Sequence, residues 1–397
     1  MHILIVEPEI NGHHIALYVK LLAKELNNKK IQFSLLTSQK ILKSPVFAIL
    51  KKEIKNLKFY LIEDLKYPIN QTIVKLFIFQ LRNFFLIQKA FAKIEIKNKI
   101  SHVFMNNFEL IDKAMIFLGS PFAQKNFSGI LLNPKIHLLH KKNIMIKNWK
   151  HVFYDLFLKK IFNSPQFKNL FTNDILFYNY CKKKNYNSKN RLFLYREPSD
   201  LGHAHPKKVS KIKLNLSTKS FVIMIYGALK MSKGIEKLIN IFHSKKINKK
   251  IKVVLSGEQT PEVKKFLDTI FIKNLIKNKK LYVFDKFIYP KEQKILFGAS
   301  DLIWLAYSSN SYGSSGVLSM ALEANIPFVT SNTGLIYWIS KKYKLGKVIN
   351  SNNTIQVLNT LCANKTEYSK LKINHKKFLN DKKYSNYPEI IVNKITI

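Results

Sequence analysis

Two doubly wound α/β domains with parallel sheets are the fold this sequence predicts. Three observations lead there. Short apolar runs of strand length recur along the chain, and most give way to a segment of helical period. The alternation halts in a Lys-rich stretch after residue 200 and then restarts. The chain has 397 residues, too many for one ordinary core; two domains of roughly 150–200 residues each suit that length.

The first run, His2 to Val6, is short and wholly apolar after its histidine, which suits a buried central strand. Gly12 follows in a loop, then a helical pattern from Ile15 to Leu26 and a second strand from Gln32 to Thr37. Segments 72–94 and 144–162 carry apolar and aromatic residues at helical spacing, interleaved with Lys and Arg. They read either as core helices with solvated lysines or as segments lying in a membrane interface. His102 to Met105 and Leu192 to Leu194 are further strands, with His102 structural at a strand start. These elements make a first domain over 1–198, and residues 199–219 read as a linker.

The alternation restarts with a strand at Phe221–Tyr226 and a helix at Gly234–Phe242. Strands at Lys252–Ser256, Leu281–Phe284, Leu302–Ala306 and Phe328–Thr330 follow. Between and after them come helices at Glu262–Ile272, Glu292–Gly298, Gly316–Ala324 and Tyr337–Lys344. This second domain covers 220–375, and a tail over 376–397 is expected to pack back on the first domain.

Lys and Arg number 67 against 24 Asp and Glu, a formal charge of +43. The charge is spread evenly: residues 1–200 hold 33 basic and 13 acidic residues, close to the balance of the rest. An even spread fits a chain-wide compositional bias toward lysine as well as attraction to an anionic partner such as a membrane leaflet. No concentrated basic patch or nucleic-acid-binding signature stands in the sequence, so no nucleic-acid partner is expected. Two cysteines, Cys181 and Cys362, exclude a disulfide scaffold and a Cys-based zinc site. His203 and His205 lack a partner cluster, so no metal site is expected. The apolar start is too short for an export signal and runs into Glu7 and Glu9, and no stretch has the length of a membrane span. A cytoplasmic location is the expectation.

Glycine is scarce, and nine of the 12 glycines fall after residue 200. Gly227, Gly257, Gly313, Gly316 and Gly334 stand where strands give way to loops or helices. In a parallel sheet these are the carboxyl ends, where ligands bind. Any one of them serves a tight turn; the set suggests backbone amides brought close to phosphate. Neither a Gly-x-Gly-x-x-Gly fingerprint nor a Walker loop occurs, which argues against dinucleotide binding and P-loop chemistry. The strongest cluster is Tyr226-Gly227-Ala228-Leu229-Lys230-Met231-Ser232-Lys233-Gly234, with Lys233 placed to meet a diphosphate. Ser256-Gly257-Glu258 comes next. The stretch from Ser308 to Gly316 then leads into a helix, with Ser314 placed to cap it and Ser315 and Gly316 offering hydroxyl and amide groups.

Over residues 220–349 these motifs resemble, in collinear order, the retaining, nucleotide-sugar-dependent glycosyltransferases of the glycosyl transferases group 1 family. The residues that carry the resemblance are Gly227 to Ile235, Ser256-Gly257, Ala299-Ser300-Asp301, Ala321 to Val329 with Pro327, and Thr333-Gly334. The looser N-terminal match rests on the first strand, Gly12-His13-His14, Phe127-Ser128-Gly129-Ile130 and Glu197-Pro198.

The resemblance implies a GT-B fold of two facing Rossmann-like domains, with reaction in the cleft. A nucleotide-sugar, the co-substrate, would bind the C-terminal domain, and a glycan or lipid-linked acceptor the N-terminal one, without metal or other cofactor. Donor contacts are then expected from Gly227, Lys233, Gly234, Gly257, Glu258, Ser314, Ser315 and Gly316. Lys233, His13 and His14 are the catalytic candidates, and Gly12, His13, His14 and Asn107 (with Asn106 beside it) the acceptor-side ones. The two histidines read equally as one surface and one packed residue. Three positions depart from the family pattern. Ala228 stands for its phosphate-binding Arg, and Tyr312 and Met320 stand for its Glu-x7-Glu pair. The departures open a second reading, a non-catalytic relative that binds nucleotide-sugar or glycan.

Overall fold

The computed structural model describes residues 1–10, 14–54, 57–68, 72–134, 149–186, 189–308, 312–350 and 352–396. The chain forms two compact units, residues 1–198 with 383–397, and residues 199–382.

In the first unit seven strands form one parallel sheet: β1 (His2–Val6), β2 (Gln32–Ser38), β3 (Lys58–Ile62), β4 (His102–Met105), β5 (Asn126–Leu131), β6 (Phe167–Thr172) and β7 (Leu192–Leu194), in the order β3-β2-β1-β4-β5-β6-β7. All five residues of β1 are buried, which is why its sequence after His2 is continuously apolar rather than alternating. Helices Ile73–Lys97, Asp112–Leu118 and Trp149–Asn163 pack in sequence against one another. They supply Phe84, Ile87, Phe91 and Phe157 to a core shared with Phe108, Phe127 and Phe167. The C-terminal helix Tyr387–Ile395 packs beside helix Lys20–Asn28, and its Tyr387 ring lies 4.9 Å from Tyr18 and 5.1 Å from Tyr195.

The second unit has six parallel strands: β8 (Phe221–Tyr226), β9 (Ile251–Ser256), β10 (Leu281–Phe284), β11 (Leu302–Leu305), β12 (Phe328–Thr330) and β13 (Lys347–Val348). Their order is β10-β9-β8-β11-β12-β13. Both units therefore have the predicted doubly wound, parallel α/β form.

Several elements differ from the sequence reading. The segment from Ile15 begins with a wide, π-type turn over His14–Val19 before the α-helix Lys20–Asn28. The helix expected over 234–242 is α-helical only at Ile235–Ile239 and tightens to a 3-10 turn over Asn240–His243. The stretch expected as one helix over 262–272 is two, Pro261–Leu267 and Ile270–Lys277. Each of the two has a threonine just before its first residue (Thr260 and Thr269) in extended conformation, a backbone break that hydrophobic period alone does not reveal.

Within the stretch read as a linker, Lys207–Lys213 is helical and packs on helix Pro290–Ala299. A short helix so rich in lysine needs counter-charge, and Asp301 supplies it. Its carboxylate meets Lys207 Nζ and Lys211 Nζ at 2.7 Å each and accepts from the Val222 amide at 2.9 Å. Lys211 is buried and donates also to the Ser220 carbonyl. Asp301 thus ties that helix to the amino ends of β8 and β11, the edge of the sheet away from its ligand-binding ends. Asp301→Ala leaves a buried ammonium without its counter-charge and is expected to cost about 3 kcal/mol in the unfolding of this unit. Equilibrium urea denaturation checks this; a loss below about 1 kcal/mol would contradict the assigned role.

Candidate functional site

In each sheet the strand order reverses beside the first-laid strand. In the first unit the reversal lies between β1 and β4, in the second between β8 and β11. The loops leaving the carboxyl ends of those strands diverge, and the space between them is where such sheets bind ligands.

In the second unit, β8 ends at Tyr226 in register with Ser256 of β9. Gly257 follows with φ of 137°, and a Cβ there would come within 2.2 Å of the Gly227 carbonyl oxygen. Only glycine lets these two backbones lie so close. Gly234 has φ of 72°, and a Cβ on it would stand 2.5 Å from the Ala306 carbonyl oxygen. The β8 and β11 loops are thus packed backbone to backbone. Trp304 Nε1 donates to the Lys233 carbonyl at 3.1 Å, and the Ser308 amide to the Ser232 carbonyl at 2.8 Å.

Lys233 lies in a 3-10 turn, Met231–Lys233, just before the short helix. Its side chain is half-buried and folds back over the end of β8, where Nζ donates to the Tyr226 carbonyl beside Gly227. Burial pushes the ammonium down to about 8, with Lys230 adding repulsion. No carboxylate pairs with it among the described residues. A desolvated ammonium with only a carbonyl for company is held at a cost, and an anionic ligand is the natural relief.

The cap of helix Gly316–Glu323 is Ser315, one residue later than the expected Ser314. Its hydroxyl does not cap the helix but meets Tyr307 Oη at 3.2 Å, and the Leu318 amide closes the first turn on the Ser315 carbonyl. The amides ahead of Leu318, those of Gly316 and Val317, have no carbonyl partner within such a helix. Glu258 is exposed, and its carbonyl oxygen, rather than its carboxylate, is engaged, accepting from the Leu229 amide at 2.8 Å. Met320 is buried, with the Gln293 amide 3.1 Å from its sulfur. Glu323 is spent on the 199–202 loop, where it accepts from Ser199 Oγ and from the Gly202 amide at 3.1 Å.

In the first unit, the reversal holds a residue to which sequence reasoning gave no role there. Glu7, directly after β1, is fully buried. Its carboxylate accepts from the Glu9 amide at 2.9 Å and from Asn106 Nδ2 at 2.6 Å, and meets His14 Nδ1 at 3.1 Å. Burial alone would lower the His14 imidazole, but Glu7, Glu9 and Glu109 outweigh it and raise it above the ordinary histidine value. Burial pushes the Glu109 carboxyl up to about 7; its Oε1 accepts from the Asn133 amide at 2.6 Å, and its Oε2 is buried without a hydrogen-bond partner. Asn107, the expected acceptor contact, turns its side-chain oxygen to the Glu109 amide at 3.0 Å, a local cap. Asn106 is the member of that pair joined to the Glu7 cluster, and Tyr387 Oη donates to its Oδ1 at 3.4 Å. Gly12 and His13 lie outside the described residues. An acid directly after a central apolar strand, in a chain poor in acids, is the signal that would have found Glu7.

His102 is buried with Nε2 3.1 Å from Ser128 Oγ, and burial lowers it to about 4, a packed strand residue. Among the described residues no three His, Cys, Asp or Glu side chains come together in a group able to hold a metal ion.

Residues 206–378 match the family model described as Glycosyl transferases group 1. No curated protein sequence matches the chain. Among solved structures, the chain is similar to Anabaena HepE in complex with UDP-glucose, at 14% identity and a TM-score of 0.66, over 100% of this chain and 98% of that one. Sucrose-phosphate synthase of Thermosynechococcus elongatus aligns at 12% identity and a TM-score of 0.66, over 99% and 97%. A UDP-GlcNAc 2-epimerase of Neisseria meningitidis bound to UDP-GlcNAc aligns at 13% identity and 0.59, over 100% of both chains. At these identities the likeness is one of fold, the two-sheet fold of the GT-B glycosyltransferases.

The His14–Glu7 pair has a direct titration test. A raised imidazole contributes stability that is fully present below about pH 6.5 and is lost as pH climbs through its folded value. Nitrogen-detected NMR of ring-labelled histidine should show one imidazole titrating above the ordinary value, and Glu7→Gln should bring it down. A His14 resonance indifferent to that substitution would remove Glu7 as its partner.

Proposed function

We propose that this chain is a glycosyltransferase moving a hexosyl unit from a nucleotide-sugar to a glycan or lipid-linked glycan, with retention and without metal. The match of residues 206–378 to the group 1 family is the observation that carries the reading. Similarity in fold to proteins solved with UDP-glucose or UDP supports a nucleotide-sugar as donor.

In this reading the donor diphosphate lies at the carboxyl ends of β8 and β11. Gly227, Gly234 and Gly257 keep the loop backbones low enough for phosphate to approach, and Glu258 borders that end of the sheet. Lys233 exchanges the Tyr226 carbonyl for phosphate oxygen, and Ser314, Ser315 and the amide of Gly316 meet the ligand from the other loop. As the glycosidic bond breaks, negative charge grows on the departing diphosphate. An ammonium already desolvated stabilises that charge without first shedding water. On the acceptor side His14, held by Glu7, meets the sugar hydroxyl that attacks, and Gly12, His13 and Asn107 are the further acceptor contacts in this reading.

A second reading, binding without turnover, is favoured by Met320. At the position where the resemblance places a ribose-holding carboxylate stands a buried thioether engaged with Gln293. Incubation with a panel of UDP-, GDP- and TDP-sugars separates the two. Slow hydrolysis of one donor supports the transferase. Binding with no turnover, even with glycan acceptors added, supports the second reading, and no binding at all removes both.

The Lys233 contact makes a sharper prediction. Lys233→Ala should lower nucleoside-diphosphate affinity at least tenfold and abolish turnover. In the wild type, affinity should hold between pH 7 and 8 and then fall toward a limit of about tenfold per pH unit as the ammonium is lost. Calorimetric titration of UDP, GDP and TDP across pH 7–9.5 measures this, and a flat profile would take Lys233 out of the diphosphate site.

A further inference from the structure

The helix Ile73–Lys97 is 25 residues long and carries a stripe that the core does not use. Sequence spacing alone does not say which of its apolar residues are buried. The structure sorts them: Phe79, Phe84, Ile87, Phe91 and Ile94 face the core, whereas Val74, Ile78, Phe85 and Ile96 are 66%, 57%, 53% and 85% exposed. The exposed set is joined by Arg82, Lys89 and Lys93 at steps of three or four residues, so apolar and basic side chains share one face. Lys75, Lys89 and Lys93 have no acidic partner among the described residues; Arg82 meets Glu63 at 3.2 Å.

The face continues sideways. Phe77 of this helix meets Phe117 of helix Asp112–Leu118 at 5.7 Å between ring centroids, and Phe117 meets Phe153 of helix Trp149–Asn163 at 6.2 Å. Phe117 and Leu118 are exposed, as is Leu156, which borders a groove of about 690 Å³ shared with Lys159 and Lys160. The groove has mostly apolar walls and an exposed basic rim.

We propose that this three-helix face of the first unit docks on an anionic bilayer, lying in the interface plane. A row of exposed Val, Ile and Phe set among lysines, about 33 Å long, matches the boundary of acyl chains and anionic headgroups in both of its chemistries. A protein partner would need acids placed to meet each lysine; a leaflet presents them everywhere. Among the described residues no helix is long and apolar enough to cross a membrane, so the contact is made by the face. The proposal is independent of the sugar-transfer reading.

Flotation of the full chain with vesicles of phosphatidylglycerol and phosphatidylcholine, against phosphatidylcholine alone, tests it at low and moderate salt. Binding is expected to the anionic vesicles only. Val74→Ser with Ile78→Ser and Phe85→Ser should reduce it at least tenfold, and Lys75→Gln with Lys89→Gln and Lys93→Gln by a similar factor. An equal loss of charge elsewhere, Lys245→Gln with Lys246→Gln and Lys249→Gln, should leave it within about twofold, because those exposed residues lie in the other unit. Thermal melting confirms that each variant is folded. Failure of the wild type to bind anionic vesicles overturns the proposal. So does equal loss in the control triple, which would mean that overall charge alone adsorbs the chain. A wild-type dimer in solution that the serine triple dissolves, with no vesicle binding, would assign the face to self-association instead.

Discussion

A parallel sheet cannot be laid down from one edge to the other without a reversal if both its faces are to be covered by helices. In each unit the chain starts at the centre, builds outward in one direction, then returns to build outward in the other. The two loops that leave the central pair of strands are thereby forced apart, and everything distinctive about the candidate sites follows from what the sequence places on those loops. In the second unit the loops are bound together by the Trp304 side chain and the Ser308 amide, because Gly234 leaves room for the Ala306 carbonyl. In the first they are bound by a buried carboxylate, Glu7 on one loop and Asn106 on the other.

The electrostatics of the two reversals are opposite. The chain carries 67 basic residues against 24 acidic ones, yet the reversal of the first sheet gathers Glu7, Glu9 and Glu109 around His14. The reversal of the second holds Lys233 near Lys230, with no carboxylate paired to it among the described residues. Carboxylates raise the imidazole in one unit, and burial lowers the ammonium in the other.

The fold was legible because it rests on hydrophobic period, which a sequence carries openly. Strands such as Phe221–Tyr226, Leu281–Phe284 and Leu192–Leu194 stand where the apolar runs put them. Where the reading missed, a local backbone fact intervened: the break between Leu267 and Ile270, or the shift of a cap from Ser314 to Ser315. The site was less legible. Lys233 announced itself through glycines on both sides, since glycine at a strand end is a conformational demand visible in sequence. Glu7 is marked only as an acid directly after an apolar strand; its partners lie 2, 7 and 99 positions away, and the sequence does not say that they converge. Asn106 and Asn107 read alike in the sequence. Which of two adjacent asparagines turns inward depends on the backbone after β4.

The same limit governs the meaning of charge. A net +43 says little when it is divided evenly along the chain, because an average over 397 residues hides where each lysine points. Placement changes that. Lys211 is buried against Asp301 and serves the fold. Lys233 is half-buried with no acidic partner among the described residues, an arrangement that suits an anionic ligand. Lys75, Lys89 and Lys93 line an exposed stripe with Val74, Ile78 and Phe85 and serve a surface. One residue type thus takes three roles, separated by burial and by the presence of an acid nearby. Those two properties, rather than the total, decide what a basic residue in this chain is for.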